Sequence, residues 1–235
     1  MDKKTVGILG GMGPLATVEL FRLIVSNTES PNDQGHIRII IDNNPQIPDR
    51  TNAILNGGES PVNALVKSAS MLKNDGADFL IIPCNTSHYY IDEISRNAGI
   101  EIVNMIETTA IYLKEHNIKT IGLLATSGSV KTLVYEKTLS KFGISTLYPD
   151  ENGQQEVMDY IYKGIKAGNI NQSTEDLKKI CEELIYKGAS NIVLGCTELS
   201  IGYNTFPFKS ICVDPMTLLA RETIKKAGYS VINVD

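Results

Sequence analysis

Two cysteines stand in two copies of one short pattern. Gly76-Ala77-Asp78-Phe79-Leu80-Ile81-Ile82-Pro83-Cys84-Asn85-Thr86 aligns with Gly188-Ala189-Ser190-Asn191-Ile192-Val193-Leu194-Gly195-Cys196-Thr197-Glu198. The branched apolar run in each copy reads as a buried parallel strand, and the cysteine falls at its carboxyl end, where α/β proteins bind ligands. Both cysteines precede an expected helix, whose N-terminus favours a thiolate over a thiol of pKa about 8.5. Two thiols at equivalent strand ends predict a site with one sulfur on each side. Moving a proton off one face of a carbon and onto the other requires that arrangement. Cys181 and Cys212 read as inert core residues.

Cations for an anionic ligand are few. Arg50 lies just past a strand end in Asn43-Asn44-Pro45-Gln46-Ile47-Pro48-Asp49-Arg50, as an anion-binding residue or a solvated side chain at a helix start. Lys166 ends a helix, where a lysine can simply complement the dipole. His88, four residues past Cys84, can assist proton transfer or pack its helix, whereas His36 and His116 read as surface positions. The turn Gly10-Gly11-Met12-Gly13-Pro14-Leu15-Ala16 contains Gly11-x-Gly13-x-x-Ala16, close to the dinucleotide fingerprint. Pro14 removes an N–H that could hold phosphate, and Asp42 lies beyond the usual acid spacing of about 20 residues. A structural turn offering N–H groups to a small anion is the better reading. No spacing of His, Cys and acids matches a metal site, and no metal or cofactor is expected.

These residues must be positioned by alternating strands and helices. Strands are predicted at 5–10, 37–42, 78–83, 101–104, 119–125, 144–148, 190–195 and 210–213. Helices are predicted at 14–28, 60–75, 86–97, 106–117, 128–142, 153–167, 174–187 and 215–227. A second internal match supports a duplicated half-chain: Lys4-Thr5-Val6-Gly7-Ile8-Leu9-Gly10-Gly11-Met12-Gly13 aligns with Lys119-Thr120-Ile121-Gly122-Leu123-Leu124-Ala125-Thr126-Ser127-Gly128, in the same order and at nearly the same offset as the cysteine segments. The expectation is an α/β protein of two pseudo-symmetric domains, each a roughly four-stranded parallel sheet flanked by helices. Residues 1–112 with 212–235 would form one domain and 113–211 the other.

At 235 residues the chain can bury a substantial core. A net charge of −5 and a pI near 5.3 disfavour nucleic acid or an anionic membrane as partner. The N-terminal apolar stretch is short for a signal peptide, no apolar run approaches a membrane span, and four cysteines do not resemble a disulfide framework. A reducing cytoplasm is the expected compartment.

At Pro83-Cys84-Asn85-Thr86-Ser87-His88, Gly195-Cys196-Thr197-Glu198-Leu199 and Gly10-Gly11-Met12-Gly13-Pro14, the chain resembles the aspartate/glutamate racemase family over essentially its whole length. Glutamate racemases usually carry Asp-Ser-Gly in the N-terminal turn and Gly-Cys-Thr-His at the second cysteine, so the aspartate branch, which uses no pyridoxal phosphate, is the closer match. The resemblance implies an active site in the interdomain cleft, a small dicarboxylic amino acid as substrate and a homodimer. It implies that Cys84 and Cys196 are the two bases and that Arg50 and Lys166 recognise the side-chain carboxylate. Met12, Gly13, Asn85, Thr86, Thr126, Ser127 and Thr197 would line the substrate, with His88 and Glu198 supporting them. Rival readings are other members of the superfamily (glutamate or broad-specificity racemases, hydantoin racemases, maleate isomerases, arylmalonate decarboxylases), an NAD(P) oxidoreductase and a two-lobed amino-acid-binding module.

Overall fold

The computed structural model describes residues 3–202 and 211–232. The chain opens with β1 (Val6–Gly10), buried throughout, followed by α1 (Pro14–Asn27), β2 (Ile39–Asn43), α2 (Arg50–Asn56), α3 (Val62–Asn74) and β3 (Phe79–Ile81). A 3-10 turn at Thr86–Tyr90 leads into α4 (Ile91–Ala98) and then α5 (Met105–Glu115). The second half runs through β4 (Thr120–Ala125), α6 (Ser127–Thr132), α7 (Val134–Leu139), β5 (Ser145–Leu147), α8 (Glu151–Asp159) and α9 (Glu175–Tyr186). It closes with β6 (Asn191–Gly195), α10 (Thr197–Gly202), β7 (Cys212–Val213) and α11 (Pro215–Lys226).

Two parallel sheets result, ordered β2-β1-β3 and β5-β4-β6-β7. Ile102 adds an isolated parallel bridge to Leu80, so the fourth position of the first sheet is one bridge rather than the strand expected at 101–104. The segment cannot extend because Asn104 is committed to capping α5, its Oδ1 accepting from the N–H groups of Ile106 and Glu107 at 3.0 and 3.2 Å. Asp214 caps α11 in the same way, accepting from Met216 and Thr217 at 3.1 and 3.2 Å. Each half therefore has its strands in the order second, first, third, fourth, with a capped helix after the fourth. The internal repeat is present in the topology.

Those two capped helices, α5 and α11, pack against each other between the halves. Through Met216, Leu219 and Ile224, α11 joins Val6, Ile8 and Leu20 in the core of the first sheet. Through Ile106, Ala110 and Leu113, α5 packs on Ile121 and Leu123 of the second. The second core thus recruits residues from before the boundary expected at 112–113. Cys212 and Val213 pair with β6, so the chain leaves the second sheet at Asp214 rather than at 212. Burying side chains of this size contributes about 1.5–3 kcal/mol each, and both sheets are filled with them.

Several helices are more broken than their periodicity predicts. The helix expected over 128–142 divides at Leu133, whose φ of 54° interrupts α6 and α7. That expected over 153–167 becomes α8, a π-helical turn at Tyr160–Gly164 and a 3-10 turn at Ile165–Ala167. Single π turns inside helices frequently mark functional positions. Outside the predicted spans, α2 begins at Arg50 and α10 directly after Cys196, both positions where a helix start was expected.

Candidate active site

The first thiol is placed by a strand that stops early. Pro83 has no N–H to extend β3, and the Cys84 N–H donates to the Ile82 carbonyl at 2.8 Å in a tight turn around it. His88 then fixes this turn from behind. Its Nδ1–H donates to the Cys84 carbonyl at 2.9 Å, and its Nε2 accepts from the Met105 N–H at 3.1 Å. Burial lowers its pKa to about 4 against the opposing pull of the Cys84 and Val103 backbone, so the imidazole is neutral. With both ring nitrogens committed to the backbone, His88 positions Cys84 and transfers no proton.

The second thiol follows β6 directly, at the start of α10. Its Sγ–H donates to Glu198 Oε2 at 2.9 Å, and Lys166 Nζ stands 3.5 Å from Oε1 of the same carboxylate. The Cys196 pKa is pushed well up, first by burial and then by the Glu198 charge, with Lys166 opposing. Lys166 lies in the 3-10 turn that follows the π turn, its ammonium 5.1 Å from the centre of the Tyr162 ring. Its pKa is raised: burial works against the charge, but Glu198, Cys196 and Cys84 outweigh burial.

Arg50 occupies the first turn of α2, which Asp49 caps by accepting from the Asn52 N–H. Its guanidinium is buried. Nη1 donates to the carbonyls of Ile47 and Pro48 at 3.3 and 3.0 Å, Nη2 donates to that of Met12 at 3.1 Å, and Nε has no partner. Its pKa is raised because the charges of Cys84 and Asp49 overcome the burial that acts against it. The glycine turn lets Met12 approach. Gly11 has φ 95°, and a Cβ there would stand 2.3 Å from the backbone of Asn44.

Polar bonds join the two halves across the site. Thr197 Oγ1 donates to the Pro83 carbonyl at 3.2 Å, tying the two cysteine segments together. Thr86 Oγ1 pairs with Thr126 Oγ1 at 2.9 Å and Ser129 Oγ at 3.1 Å. These contacts enclose a small cavity of about 10 Å³, room for one water, lined by Cys84, Cys196, Met12, Arg50, Asn85, Thr86, Thr126, Lys166, Thr197 and Glu198. An outer cleft of about 510 Å³ shares Met12, Asp49, Arg50, Lys166 and Glu198 with it, so these five residues stand between the cavity and the open space.

Two residues expected at the site do not line the inner cavity. Gly13 lines only the outer cleft. Ser127 reaches neither space. It begins α6, where its Oγ accepts from Gln154 Nε2 at 3.4 Å, while Ser129, two residues on, bonds Thr86 across the halves. Asp49, Thr51 and Tyr162 line the inner cavity unforeseen. Only Tyr162 left a readable signal, standing four residues before Lys166 on the same segment. The NAD(P) reading of the glycine turn finds no support: Met12 faces the thiols, and its carbonyl accepts from Arg50.

The family described as Asp/Glu/Hydantoin racemase matches residues 9–223, and this chain belongs to it. The chain is 31% identical to Picrophilus torridus aspartate racemase, with a TM-score of 0.84 over 97% of this chain and 96% of that one. It is 26% identical to the broad specificity amino-acid racemase RacX of Bacillus subtilis, over 93% of this chain and 96% of the relative. The glutamate racemase of Francisella tularensis subsp. tularensis, solved with D-glutamate, shares the fold at 17% identity and TM-score 0.69, covering 96% of this chain and 81% of that one. Among the described residues, no helix is long and apolar enough to cross a membrane.

Proposed function

We propose that this racemase-family chain interconverts L- and D-aspartate without a cofactor, using Cys84 and Cys196 as paired acid and base. The observation that carries the reading is the lining of one small cavity by both thiols, reached from opposite halves of a duplicated fold. The substrate α-carbon would sit between the sulfurs. One thiolate removes the α-proton while the opposite thiol delivers a proton to the other face, so a thiolate is regenerated on the other side after each turnover. By the family resemblance, Cys196 serves the L enantiomer and Cys84 the D enantiomer.

The α-hydrogen of an amino acid is far less acidic than a thiol, so the surroundings must lower most of the barrier. Thr86, Thr126, Thr197 and the Asn85 amide offer hydroxyl and N–H groups to the α-carboxylate, which takes up charge as the proton leaves. The unpartnered Nε of Arg50 and the Lys166 ammonium suit the second carboxylate of a dicarboxylic substrate. Aspartate is far larger than the inner cavity, so binding must open the two halves at the outer cleft. Reclosure then excludes water around the thiols. The reading includes a homodimer in a reducing cytoplasm.

A second reading is a racemase of glutamate or of wider specificity, favoured by the relatives that carry those names. Chiral analysis of L-aspartate, L-glutamate and neutral amino acids incubated with the pure protein separates the two. The aspartate reading expects D-aspartate to form fastest with no cofactor added. Faster turnover of glutamate or a neutral amino acid would replace it with the second.

A further inference from the structure

Asn85 stands next to the first thiol in the cavity wall, only 2% exposed, and its amide has two ends with opposite hydrogen-bonding character. A substrate carboxylate meets a donor if the NH2 faces inward and a repelling oxygen if the amide is reversed. Within the first half, nothing decides between the two: Nδ2 has no partner. The deciding contact comes from the second half. The phenol of Tyr135, on α7, donates to Asn85 Oδ1.

Tyr135 is fully buried, 0% exposed, among Leu139, Ile144 and Val193. Its hydroxyl has no water to turn to. With the amide reversed, the phenol would accept from the NH2 and its own proton would be left buried without an acceptor, an unfavourable state. Burial also raises the phenol pKa well above its usual value, with Asp214 and Cys196 adding to the shift, so the donor keeps its proton. The break at Leu133 contributes to the placement. That leucine holds φ 54°, a region that leucine rarely adopts, and the turn restarts the helix so that Tyr135 faces the core rather than continuing the direction of α6.

We propose that Tyr135 is a positioning residue: its hydroxyl locks the Asn85 amide with the NH2 turned toward the cavity, giving the substrate carboxylate a fixed donor. The inference rests on the racemase reading above and adds to it a contact between the two halves. Because Tyr135 is in one half and Asn85 in the other, the lock forms only when the halves are closed, so the donor is aligned in the state that holds substrate.

The test is a double-mutant cycle on racemisation of L- and D-aspartate with wild type, Tyr135→Phe, Asn85→Ala and the double variant. Tyr135→Phe should lower kcat/KM about tenfold in both directions, and it should have no further effect in the Asn85→Ala background. Wild-type kinetics in Tyr135→Phe, or losses that multiply in the double variant, overturn the inference. Should Tyr135→Phe fail to fold, the side-chain amide resonance of Asn85 in the ¹⁵N-labelled wild type gives the reading. Its two protons are expected to shift when aspartate is added, and an unchanged resonance at saturating aspartate overturns the inference. A wild-type protein that does not racemise aspartate removes the functional proposal itself. A racemising wild type with an indifferent Tyr135→Phe removes this inference alone.

Discussion

The two cysteine ends are equivalent in topology and unequal in chemistry. Cys84 and Cys196 follow the third strand of their sheets, each before a short helical segment, and each is 5% exposed. Cys84 shares its surroundings with a buried arginine, and its carbonyl is held by a neutral histidine. The Cys196 thiol instead donates a hydrogen bond to a carboxylate, and burial together with the Glu198 charge raises its pKa and holds it as a thiol. The two halves share the placement of the thiol, while the side chains around each one differ. Under the proposed two-thiol mechanism, one thiol of the cavity is held protonated beside Glu198 and the other faces the cation Arg50. One direction of turnover requires the thiolate to form beside Glu198.

Removing either sulfur should break the comparison outright. Cys84→Ala and Cys196→Ala are each expected to lower racemisation by about a thousandfold or more, measured by chiral chromatography. Full turnover by either variant would mean that the pair does not act together. Replacing the cation on the Cys84 side should cost less. Arg50→Lys loses the fixed fork that three backbone carbonyls hold, and kcat/KM for aspartate is expected to fall roughly tenfold to a hundredfold.

On the other side, Glu198→Gln removes a charge that raises the Cys196 pKa. The rise of activity with pH in the direction that needs the Cys196 thiolate should then move to lower pH, while the opposite direction moves less. Equal displacement of both profiles would show that Glu198 does not distinguish the two thiols.

A further effect concerns stability rather than turnover. His88 is neutral when folded, with a pKa of about 4 against about 6.5 unfolded. Between those values the unfolded chain binds the extra proton, so stability falls as pH drops below about 6.5 and continues falling to about 4, by about 3 kcal/mol in all. Urea unfolding at successive pH values should record this slope, and His88→Leu should flatten it.

The strand-end thiols, the repeat and the alternation of strand and helix were legible because buried parallel strands leave continuous branched runs in the sequence. Arg50 stood out just past a strand end and Lys166 at a helix end, but their burial depends on backbone carbonyls and on the turns after α8, which leave no periodic trace. The orientation of Ser127 was not legible for a related reason: residues two apart at a helix start point in different directions, and only the packed turn turns Ser129 toward Thr86. Tyr135 was hidden altogether, since its role depends on the break at Leu133, where an uninterrupted helix reads just as well from sequence.

Incubating L-aspartate in deuterated solvent and analysing both enantiomers during the first turnovers addresses the paired-sulfur claim most directly. The account predicts D-aspartate labelled at the α-carbon from the outset, while recovered L-aspartate stays unlabelled, because different sulfurs serve the two faces. Deuterium entering recovered L-aspartate as fast as inversion occurs would mean that one base serves both faces, and would contradict it.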